Sequence, residues 1–371
     1  MGQMARIERL QLPPGRRVLV LSDVHGCLDL LKGVLDQAGY GPDDILIFLG
    51  DLVEKGPDSL ATLRWLMDLA ARRTVYFVRG NCDDLAVEFV KHPAVRPEFF
   101  HHYLNIWRDR SLLLQMGRLA GFLTHGPEDL PGLRQVILAH YQPELAFLDA
   151  MPHVLLTPDY LFVHGGVPDE DKLNETPAWT CMKNDFFLDQ GHTFRRWCVV
   201  GHTPVTLYRP EIPASRPLVA ERPRIVSIDG GCGLQPDAQL NALVLPQAPG
   251  GAFTWFAYDG LPAAVALDGQ EESPSSVNIR WGHNLVEVAE RGEALCRCFH
   301  PESGRLVDIP TGFLYASPQG TRCKESTDYR PKVSPGDRLS VIWQGTDRVL
   351  VKKDGVTGWY FGRLEPVREK P

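Results

Sequence analysis

The sequence predicts an α/β fold followed by a smaller all-β domain. Three apolar runs near the N-terminus, Val18–Leu21, Ile45–Leu49 and Val75–Val78, have the composition of buried strands, and each is followed by apolar residues at helical spacing. This alternation is typical of a parallel sheet with right-handed crossovers. Beyond residue 278 the pattern changes to short β-like runs separated by turn residues, which is typical of a small barrel. A chain of 371 residues is long enough for two such domains.

The first strand is followed directly by polar residues. Asp23 and His25 stand just past Val18–Leu21, and Gly26 permits a close turn before a helix expected over 28–35. In α/β sheets, ligands collect at the carboxyl edge of the strands. A carboxylate and an imidazole placed there can converge on one cation.

The next two strands end in the same way. Asp51 follows the second strand, and the loop after it contains Lys55 before a helix expected from about Ser59 to Ala71. The third strand ends at the sequence Gly-Asn-Cys-Asp, residues 80–83. The carboxyl ends of parallel strands meet at one edge of the sheet, so we expect these residues to lie near Asp23 and His25.

A helical insertion is expected over 85–150, covering the strand ends and shaping access to them. The sheet then resumes with Tyr160–Val163, which ends at His164, and with Trp197–Val200, which ends at Gly201 and His202. Further strands are expected at 225–228 and 253–258.

The polar, Pro- and Ser-containing stretch at 269–278 is predicted to be a linker. It would divide a catalytic domain, 1–268, from a small SH3-like β-barrel, 279–371. On this division, residues 1–270 alone should retain hydrolytic activity, and the barrel would serve substrate delivery, self-association or regulation through an unknown partner. The β-like runs of the second domain are 285–289, 294–299, 305–309, 312–316, 338–343, 348–353 and 358–364.

Composition excludes several classes of protein. The net charge is −7, and although residues 276–371 carry 15 Lys and Arg against 12 Asp and Glu, neither part has the basic stripe of a nucleic-acid-binding protein. No apolar run approaches the ~20 residues of a membrane span, and the N-terminus lacks the apolar core of a signal peptide. Eight scattered cysteines are expected to be reduced. We therefore expect a cytoplasmic protein without nucleic-acid or membrane partners.

Six residues at the predicted strand ends form a candidate metal site. Two carboxylates, one amide and three imidazoles suit Mn, Fe or Zn rather than calcium, and six ligands fit two ions that share a bridging carboxylate. Such a pair lowers the pKa of a bridging water and clamps a phosphoryl oxygen, which allows in-line attack on phosphorus. We expect two divalent ions, Mn first, with Fe or Zn as alternatives. The candidate ligands are Asp23, His25, Asp51, Asn81, His164 and His202.

Five motifs in order, SDVHG, GDLVEKG, GNCDD, VHGG and VGHTP, resemble the phosphoprotein phosphatase branch of the calcineurin-like metallophosphoesterases. The resemblance covers about residues 16–258, and SIDGGCGLQPDAQLNALVL is similar to the corresponding end of bacterial members, including symmetrical diadenosine tetraphosphatases. It implies a β-sandwich flanked by helices in place of one parallel sheet. It also implies that Asp23 and His25 hold the first metal, that Asp51 bridges, and that Asn81, His164 and His202 hold the second.

The sequence departs from this family pattern near the predicted reaction centre. Lys55 stands where these phosphatases usually carry a phosphate-binding Arg, so that a point charge replaces a bidentate clamp. Cys82 stands where they carry the His thought to protonate the leaving group, and a thiol is a poor acid for that purpose. A small buried residue and a thiol near the metal remain alternatives for Cys82. The candidate catalytic residues are Asp51, Lys55, Asn81, Cys82 and Asp83.

The predicted function is metal-dependent hydrolysis of phosphomonoesters, with phosphoproteins or phosphorylated small molecules as substrates. Alternatives within the class are hydrolysis of nucleotide anhydrides, as by diadenosine tetraphosphatases, and phosphodiester cleavage. Because Cys82 and Lys55 both depart from the family pattern, an inactive binding or scaffold protein is a further alternative. A panel of phosphate substrates assayed with reconstituted metal distinguishes these cases.

Overall fold

A computed structural model of the chain describes residues 3–91, 97–248 and 250–367. The chain divides into two compact units. The first contains the residues up to Thr203 together with Pro217–Leu234 and Leu240–Tyr258. The second contains Pro204–Arg216, Gln235–Gln239 and the chain from Asp259 onward. The division after Tyr258 lies upstream of the predicted linker at 269–278, and within that stretch Gln270 bridges Val333 of the second unit.

Eleven strands build the sheets of the first unit. They are β1 (Ile7–Arg9), β2 (Val18–Leu21), β3 (Ile45–Phe48), β4 (Val75–Phe77), β5 (Val154–Leu156), β6 (Tyr160–Val163), β7 (Trp197–Val200), β8 (Leu218–Ala220), β9 (Ile225–Ser227), β10 (Leu240–Val244) and β11 (Thr254–Tyr258). One sheet has the order β11-β10-β2-β3-β4, and the other has the order β1-β5-β6-β7-β9-β8. The strands β2, β3 and β4 are parallel, as are β6, β7 and β9, so each sheet brings several carboxyl ends to one edge.

The two sheets pack face to face through a shared apolar core. Val20 and Ile47 of one sheet lie in the same buried cluster as Phe162 and Val199 of the other. Since side chains alternate along a strand, the neighbouring residue Leu19 faces the opposite side and packs with the helices. The predicted β-sandwich flanked by helices is confirmed.

Eight α-helices accompany these strands in the described part of the chain. They are α1 (Leu28–Gln37), α2 (Ser59–Arg72), α3 (Asn81–Lys91), α4 (Pro97–Trp107), α5 (Leu112–Leu119), α6 (Leu130–His140), α7 (Gln142–Ala150) and α8 (Ala178–Met182). Helix α1 buries Leu31, Val34 and Leu35, the stripe expected from the sequence. Helices α3 to α7 occupy the interval between β4 and β5. None of the described helices combines the length and apolar character needed to cross a bilayer.

The second unit contains strands and no α-helix among its described residues. Its strands are β12 (Ala263–Ala266), β13 (Asn278–Ile279), β14 (Glu287–Glu290), β15 (Leu295–His300), β16 (Arg305–Pro310), β17 (Leu314–Ser317), β18 (Gly320–Cys323), β19 (Ser326–Thr327), β20 (Arg338–Gln344), β21 (Val349–Lys353), β22 (Val356–Tyr360) and β23 (Leu364–Pro366). They form a five-stranded sheet, β22-β21-β20-β12-β23, a three-stranded sheet, β14-β15-β16, and two strand pairs, β13-β19 and β17-β18. Each of the seven predicted runs overlaps a strand, and the SH3-like assignment stays a prediction.

Candidate metal centre

The loops after five parallel strands carry the six candidate ligands. In each sheet the polar residues follow directly where the buried strand ends, as the sequence predicts. Six residues in these loops have left-handed backbone angles: Asp23 (φ 55°), His25 (φ 49°), Asp51 (φ 50°), Glu54 (φ 70°), Lys55 (φ 68°) and His202 (φ 68°). Non-glycine residues adopt this conformation at a cost of about 1–3 kcal/mol, and such residues concentrate at functional sites. Four of the six are candidate metal ligands, and the other two, Glu54 and Lys55, lie in the loop after Asp51.

Asp51 lies at the middle of the cluster, fully buried. Its Oδ1 atom is 3.4 Å from Nε2 of His164, and its Oδ2 atom is 3.7 Å from Nε2 of His25. Nε2 of His25 also lies 3.8 Å from Oδ1 of Asp23. Each carboxylate oxygen of Asp51 therefore faces a different imidazole, the arrangement expected of a bridging ligand.

The hydrogen bonds of the three histidines leave one ring nitrogen of each turned into the cluster. Nδ1 of His164 is 2.7 Å from the carbonyl oxygen of Leu49, and Nδ1 of His25 is 3.4 Å from that of Val53. These acceptors favour the tautomers that leave Nε2 without a proton. In His202 the roles are reversed, because its Nε2 atom is bonded to a carboxylate and Nδ1 faces inward.

Asn81 and His202 meet at a second point of the cluster. One amide atom of Asn81 lies 3.0 Å from Nδ1 of His202 and 3.2 Å from the carbonyl oxygen of Met182. With nitrogen at that position, the amide donates hydrogen bonds to both. With oxygen there, as a metal ligand requires, the lone pairs of oxygen and Nδ1 converge on one point. The rings of His164 and His202 lie 5.1 Å apart, so this point adjoins Asp51.

The electrostatics of the cluster favour the protonation states that metal binding needs. Burial lowers the pKa of His25 to about 4, so its imidazole is neutral near pH 7. Burial also lowers the pKa of His202. For Asp51, burial acts to raise the pKa, but the nearby groups, His164 and Lys55 foremost, outweigh it and hold the pKa below the usual range. Neutral imidazoles and an ionised carboxylate are the forms that bind divalent cations.

Two glycines permit the close approach of these loops. A Cβ atom on Gly80 would overlap the carboxylate and backbone nitrogen of Asp51. A Cβ atom on Gly201 would overlap Ser22 and the carboxylate of Asp23. Glycine is therefore required at these positions because a larger residue would overlap the ligand side chains, whatever backbone conformation it adopted.

The structure places Lys55 and Cys82 beside the candidate ligands. Nζ of Lys55 is 3.5 Å from Nε2 of His25 and 3.9 Å from Oδ2 of Asp51. The backbone nitrogen of Cys82 donates a 2.8 Å hydrogen bond to Oδ1 of Asp51, and its buried thiol can group with His25 and Asp51. Burial raises the pKa of this thiol well above its usual value, which favours the neutral form.

Asp83 lies beneath the cluster rather than among its donor atoms. Its carboxylate accepts hydrogen bonds from three backbone nitrogens, those of Asp51 (2.8 Å), Leu52 (2.9 Å) and Gly80 (2.9 Å). Burial raises its pKa to about 7 in spite of these donors. The geometry indicates a residue that joins two ligand-bearing loops, where the sequence had placed a catalytic group.

Several residues near the cluster were missed by the sequence analysis. Asp185 accepts a hydrogen bond from His202, and Nζ of Lys183 lies 2.6 Å from Asp185 and 3.3 Å from Nε2 of His202. They follow α8 in a loop that no predicted strand precedes. Asp229 is buried nearby with a strongly raised pKa, caused by burial and then by Asp23. Its position after a predicted strand and before three glycines was a usable signal.

The sandwich and the clustered N and O donors at its strand ends define a metal-dependent hydrolase. Residues 16–223 match the family described as calcineurin-like phosphoesterase. This match covers more than half of the chain, so the chain belongs to the calcineurin-like phosphoesterases and is an enzyme that cleaves phosphoric esters. The resemblance predicted from the five motifs is confirmed.

Curated relatives include two kinds of phosphohydrolase. The asymmetrical bis(5'-nucleosyl)-tetraphosphatase PrpE of Halalkalibacterium halodurans is 38% identical over 257 residues, which cover 62% of this chain and 89% of that protein. The symmetrical bis(5'-nucleosyl)-tetraphosphatase of Marinomonas sp. is 30% identical over 167 residues, 44% of this chain and 46% of that protein. Serine/threonine-protein phosphatase 1 of Salmonella typhimurium is 34% identical over 82 residues, 22% of this chain and 36% of that protein. The chain thus spans less than half of the latter two relatives.

The family implies divalent metal ions, and the donor set in this chain fits them. His25 and His164 present unprotonated nitrogens to buried carboxylates, and one orientation of the Asn81 amide brings its oxygen and Nδ1 of His202 to a common point. Two donor groups, His25–Asp51–Cys82 and Asp51–His164–His202, have donor atoms within 4.8 Å of one another and share Asp51.

Proposed function

We propose that this phosphoesterase uses two divalent ions, with Mn first and Fe or Zn as alternatives, to hydrolyse phosphomonoesters. The observation that carries the proposal is the placement of Asp51, whose two oxygens face different histidines at 3.4 and 3.7 Å. Asp23 and His25 would hold one ion, and Asn81, His164 and His202 the other. Ions held there would supply Lewis-acid stabilisation of the charge that develops on the phosphoryl oxygens and would activate water as the nucleophile.

The chain's own residues have distinct roles in this proposal. The Lys55 ammonium, beside His25 and Asp51, supplies a positive charge for a phosphoryl oxygen, although without the paired hydrogen bonds of an arginine. Asp83 holds the loops of Asp51 and Gly80 together. Lys55 would thus bind the phosphoryl group and Asp83 would position the ligand loops, but neither residue provides a strong proton donor for the leaving group.

The leaving group decides among the substrates. Cys82 supplies a buried thiol where a phosphatase would need an acid, and loss of general acid catalysis costs typically about 10²–10⁴-fold for poor leaving groups. Phosphomonoesters with good leaving groups are therefore favoured over phosphoserine. A second candidate is the hydrolysis of nucleoside polyphosphate anhydrides, supported by the 38% identity to an asymmetrical tetraphosphatase over 89% of its length.

The test is a substrate panel with the full chain reconstituted with Mn, Zn or Fe. The panel contains p-nitrophenyl phosphate, bis-p-nitrophenyl phosphate, a phosphoserine peptide and diadenosine tetraphosphate. We expect hydrolysis of p-nitrophenyl phosphate with about two ions bound per chain. Faster cleavage of diadenosine tetraphosphate than of every monoester would select the second candidate.

Variants assign the activity to the cluster. Asp51→Asn preserves the size of the side chain and an acceptor for the Cys82 nitrogen, and it should abolish hydrolysis and lower the metal content. Asp58→Asn, an exposed position outside the cluster, is the matched control. Folded Asp51→Asn protein that keeps both its ions and its rate would contradict the proposal, as would wild-type chain that binds metal but cleaves none of the substrates.

A further inference from the structure

The second unit contains a cavity of about 570 Å³ that has no part in the proposed hydrolysis. This volume is in the range of sites for small molecules. All the lining residues belong to the second unit, so the cavity can be described within that unit alone. Four arginines and two aromatic residues characterise its wall: Arg297, Arg305, Arg330, Arg348, Trp359 and Phe361.

Two of the arginines are held in place by carboxylates. Nε of Arg305 donates a 2.6 Å hydrogen bond to Oδ2 of Asp328, and Nη1 of Arg348 donates a 2.7 Å hydrogen bond to Oδ2 of Asp308. These ion pairs orient both guanidinium groups. The pairs involve both carboxylates that line the cavity, and Nη2 of Arg348 also donates a 2.9 Å hydrogen bond to Asp347 outside its lining.

The other two arginines, Arg297 and Arg330, are exposed and form no ion pair with any residue that the structure describes. Arg297 stands opposite Asp308 in the β15–β16 register, but the Asp308 carboxylate is bonded to Arg348. The backbone of Arg330 is anchored by a hydrogen bond from its nitrogen to Oγ of Ser273 (3.0 Å). Two guanidinium groups at one cavity are thus available to an anion.

An aromatic surface adjoins these cations. The guanidinium carbon of Arg348 lies 5.1 Å from the ring centroid of Phe361 and 5.9 Å from that of Trp359. Trp359 is buried, whereas Phe361 is 47% exposed and Leu306, also in the wall, is 49% exposed. The exposed part of Phe361 can accept a planar group by stacking, a contact worth about 1–3 kcal/mol for a nucleic-acid base.

We propose that this cavity binds a nucleoside phosphate, with its phosphates on Arg297 and Arg330 and its base on Phe361. A simple anion would use the arginines and leave the aromatic surface unoccupied. A long polyanion is disfavoured because the second unit has no excess of basic residues, with 17 Lys and Arg against 18 Asp and Glu. None of the candidate metal ligands lines this cavity, so the proposal does not depend on the hydrolytic function.

The test is calorimetric titration of the full chain with ADP in EDTA, which prevents hydrolysis and metal-dependent binding. Pyrophosphate and adenosine are titrated as the two halves of the ligand. We expect ADP to bind more tightly than either half. Arg297→Gln and Arg330→Gln should each weaken ADP binding about tenfold or more. Phe361→Leu should weaken binding of ADP about tenfold but leave pyrophosphate binding unchanged.

The matched control is the double variant Arg291→Gln, Arg338→Gln, which removes two exposed arginines of the same unit outside the cavity. The cavity variants should hydrolyse p-nitrophenyl phosphate at the wild-type rate, which reports an intact fold. Absence of ADP binding, or equal ADP affinity in the cavity and control variants, overturns the proposal. Single-stranded oligoadenylate is titrated as well. If it binds more tightly than ADP through the same arginines, the ligand is a nucleic acid and the proposal of a nucleoside phosphate is wrong.

Discussion

Nε2 of His202 lies 2.7 Å from Oδ1 of Asp185, and this hydrogen bond turns Nδ1 of the ring toward Asn81. The imidazole in turn keeps the pKa of the Asp185 carboxyl below its usual range. His164 and His25 bond their second nitrogens to backbone carbonyls instead. His202 is therefore the one candidate histidine whose tautomer depends on a side chain that can be replaced.

Replacing Asp185 by asparagine should weaken metal binding at the His202 side of the cluster. The amide cannot stabilise the imidazole as a carboxylate does, and loss of such outer partners typically costs about 10–100-fold in metal affinity or activity. The measurement is a titration of the EDTA-treated chain with Mn, followed by kcat/KM for p-nitrophenyl phosphate. Asp189→Asn, an exposed aspartate of the neighbouring helical turn, is the control. Unchanged affinity in Asp185→Asn would mean that His202 does not bind metal or does not need this partner.

The strand ends and their polar residues could be predicted because both signals are local. The predicted strand Ile45–Leu49 and the observed Ile45–Phe48 differ by one residue, and all six candidate ligands lie in one cluster. Asp185 could not be found in this way. Asp185 is exposed and follows no strand, and it contacts His202 only because the folded chain brings residues 17 positions apart together.

The segments that make up each unit could not be predicted for a related reason. Pro204–Arg216 and Gln235–Gln239 belong to the second unit although they lie within the sequence of the first. Composition identifies a polar stretch at 269–278, but it carries no information on pairing between residues far apart in sequence. The sequence therefore predicts two domains, but it does not show which distant segments pair within each.

Cys82→Ser tests whether the thiol is a ligand. Burial raises the pKa of Cys82, so we expect a neutral thiol that binds no metal. The variant should retain about two ions per chain and a nearly unchanged rate on p-nitrophenyl phosphate. Elemental analysis and steady-state kinetics measure both. Cys296→Ser, at a buried cysteine of the second unit, controls for the loss of a buried thiol. Loss of metal in Cys82→Ser alone would identify a thiolate ligand.

Cys82→His tests the missing proton donor. An imidazole at this position could protonate a poor leaving group, so the gain in rate should be larger for a phosphoserine peptide than for p-nitrophenyl phosphate, up to about 10²-fold. Position 82 is only 3% exposed, so folding of the variant is checked by circular dichroism and metal content. Equal effects on both substrates in a folded variant would place residue 82 away from the leaving group.

Glu54 should make the stability of the EDTA-treated chain depend on pH. The buried carboxyl accepts hydrogen bonds from the Leu112 nitrogen (2.8 Å) and Ser111 Oγ (3.2 Å), and the Tyr103 hydroxyl lies beside it. Burial raises the pKa of Glu54 from 4.5 to about 7. The unfolded chain therefore loses this proton at lower pH than the folded chain, and stability falls as pH rises from about 4.5 to 7.

The difference in unfolding free energy between wild type and Glu54→Gln isolates this effect. Relative to the glutamine variant, wild type should lose up to about 3 kcal/mol between pH 4.5 and 8, with no further change above. Urea unfolding at pH 4.5, 6 and 8 measures it. Glu98→Gln, at an exposed position, should track wild type at every pH. A pH profile of Glu54→Gln parallel to that of wild type would show that Glu54 is already ionised in the folded chain.

Asn278 should be required for the segment that follows His202 in the sequence. Its buried Nδ2 atom donates hydrogen bonds to the carbonyl oxygens of Thr206 (3.0 Å) and Arg209 (2.8 Å), and its backbone nitrogen donates to that of Pro210 (2.9 Å). Asn278→Ala removes the two side-chain bonds. The Thr206 carbonyl keeps a 3.2 Å hydrogen bond from the Arg209 nitrogen, whereas the Arg209 carbonyl loses its bond to Asn278, so we expect a loss of about 1–3 kcal/mol in the free energy of unfolding, which urea titration measures. Asn105→Ala, at an exposed amide of α4, is the control.

Because of these contacts, we expect truncation after residue 270 to impair the chain, in contrast to the expectation from the sequence. A linker at 269–278 would allow residues 1–270 to keep full activity. Truncation at residue 270 instead removes Asn278, which bonds to the segment 204–216. It also removes Lys352, whose Nζ donates a 3.2 Å hydrogen bond to the Ala238 carbonyl in the segment 235–239. Both segments therefore lose partners within their unit. Because Pro204 lies two residues after His202, we expect the truncated chain to melt at lower temperature and to hydrolyse p-nitrophenyl phosphate more slowly than the full chain. Equal melting temperatures and equal rates would mean that these two segments hold their conformation without the rest of the second unit.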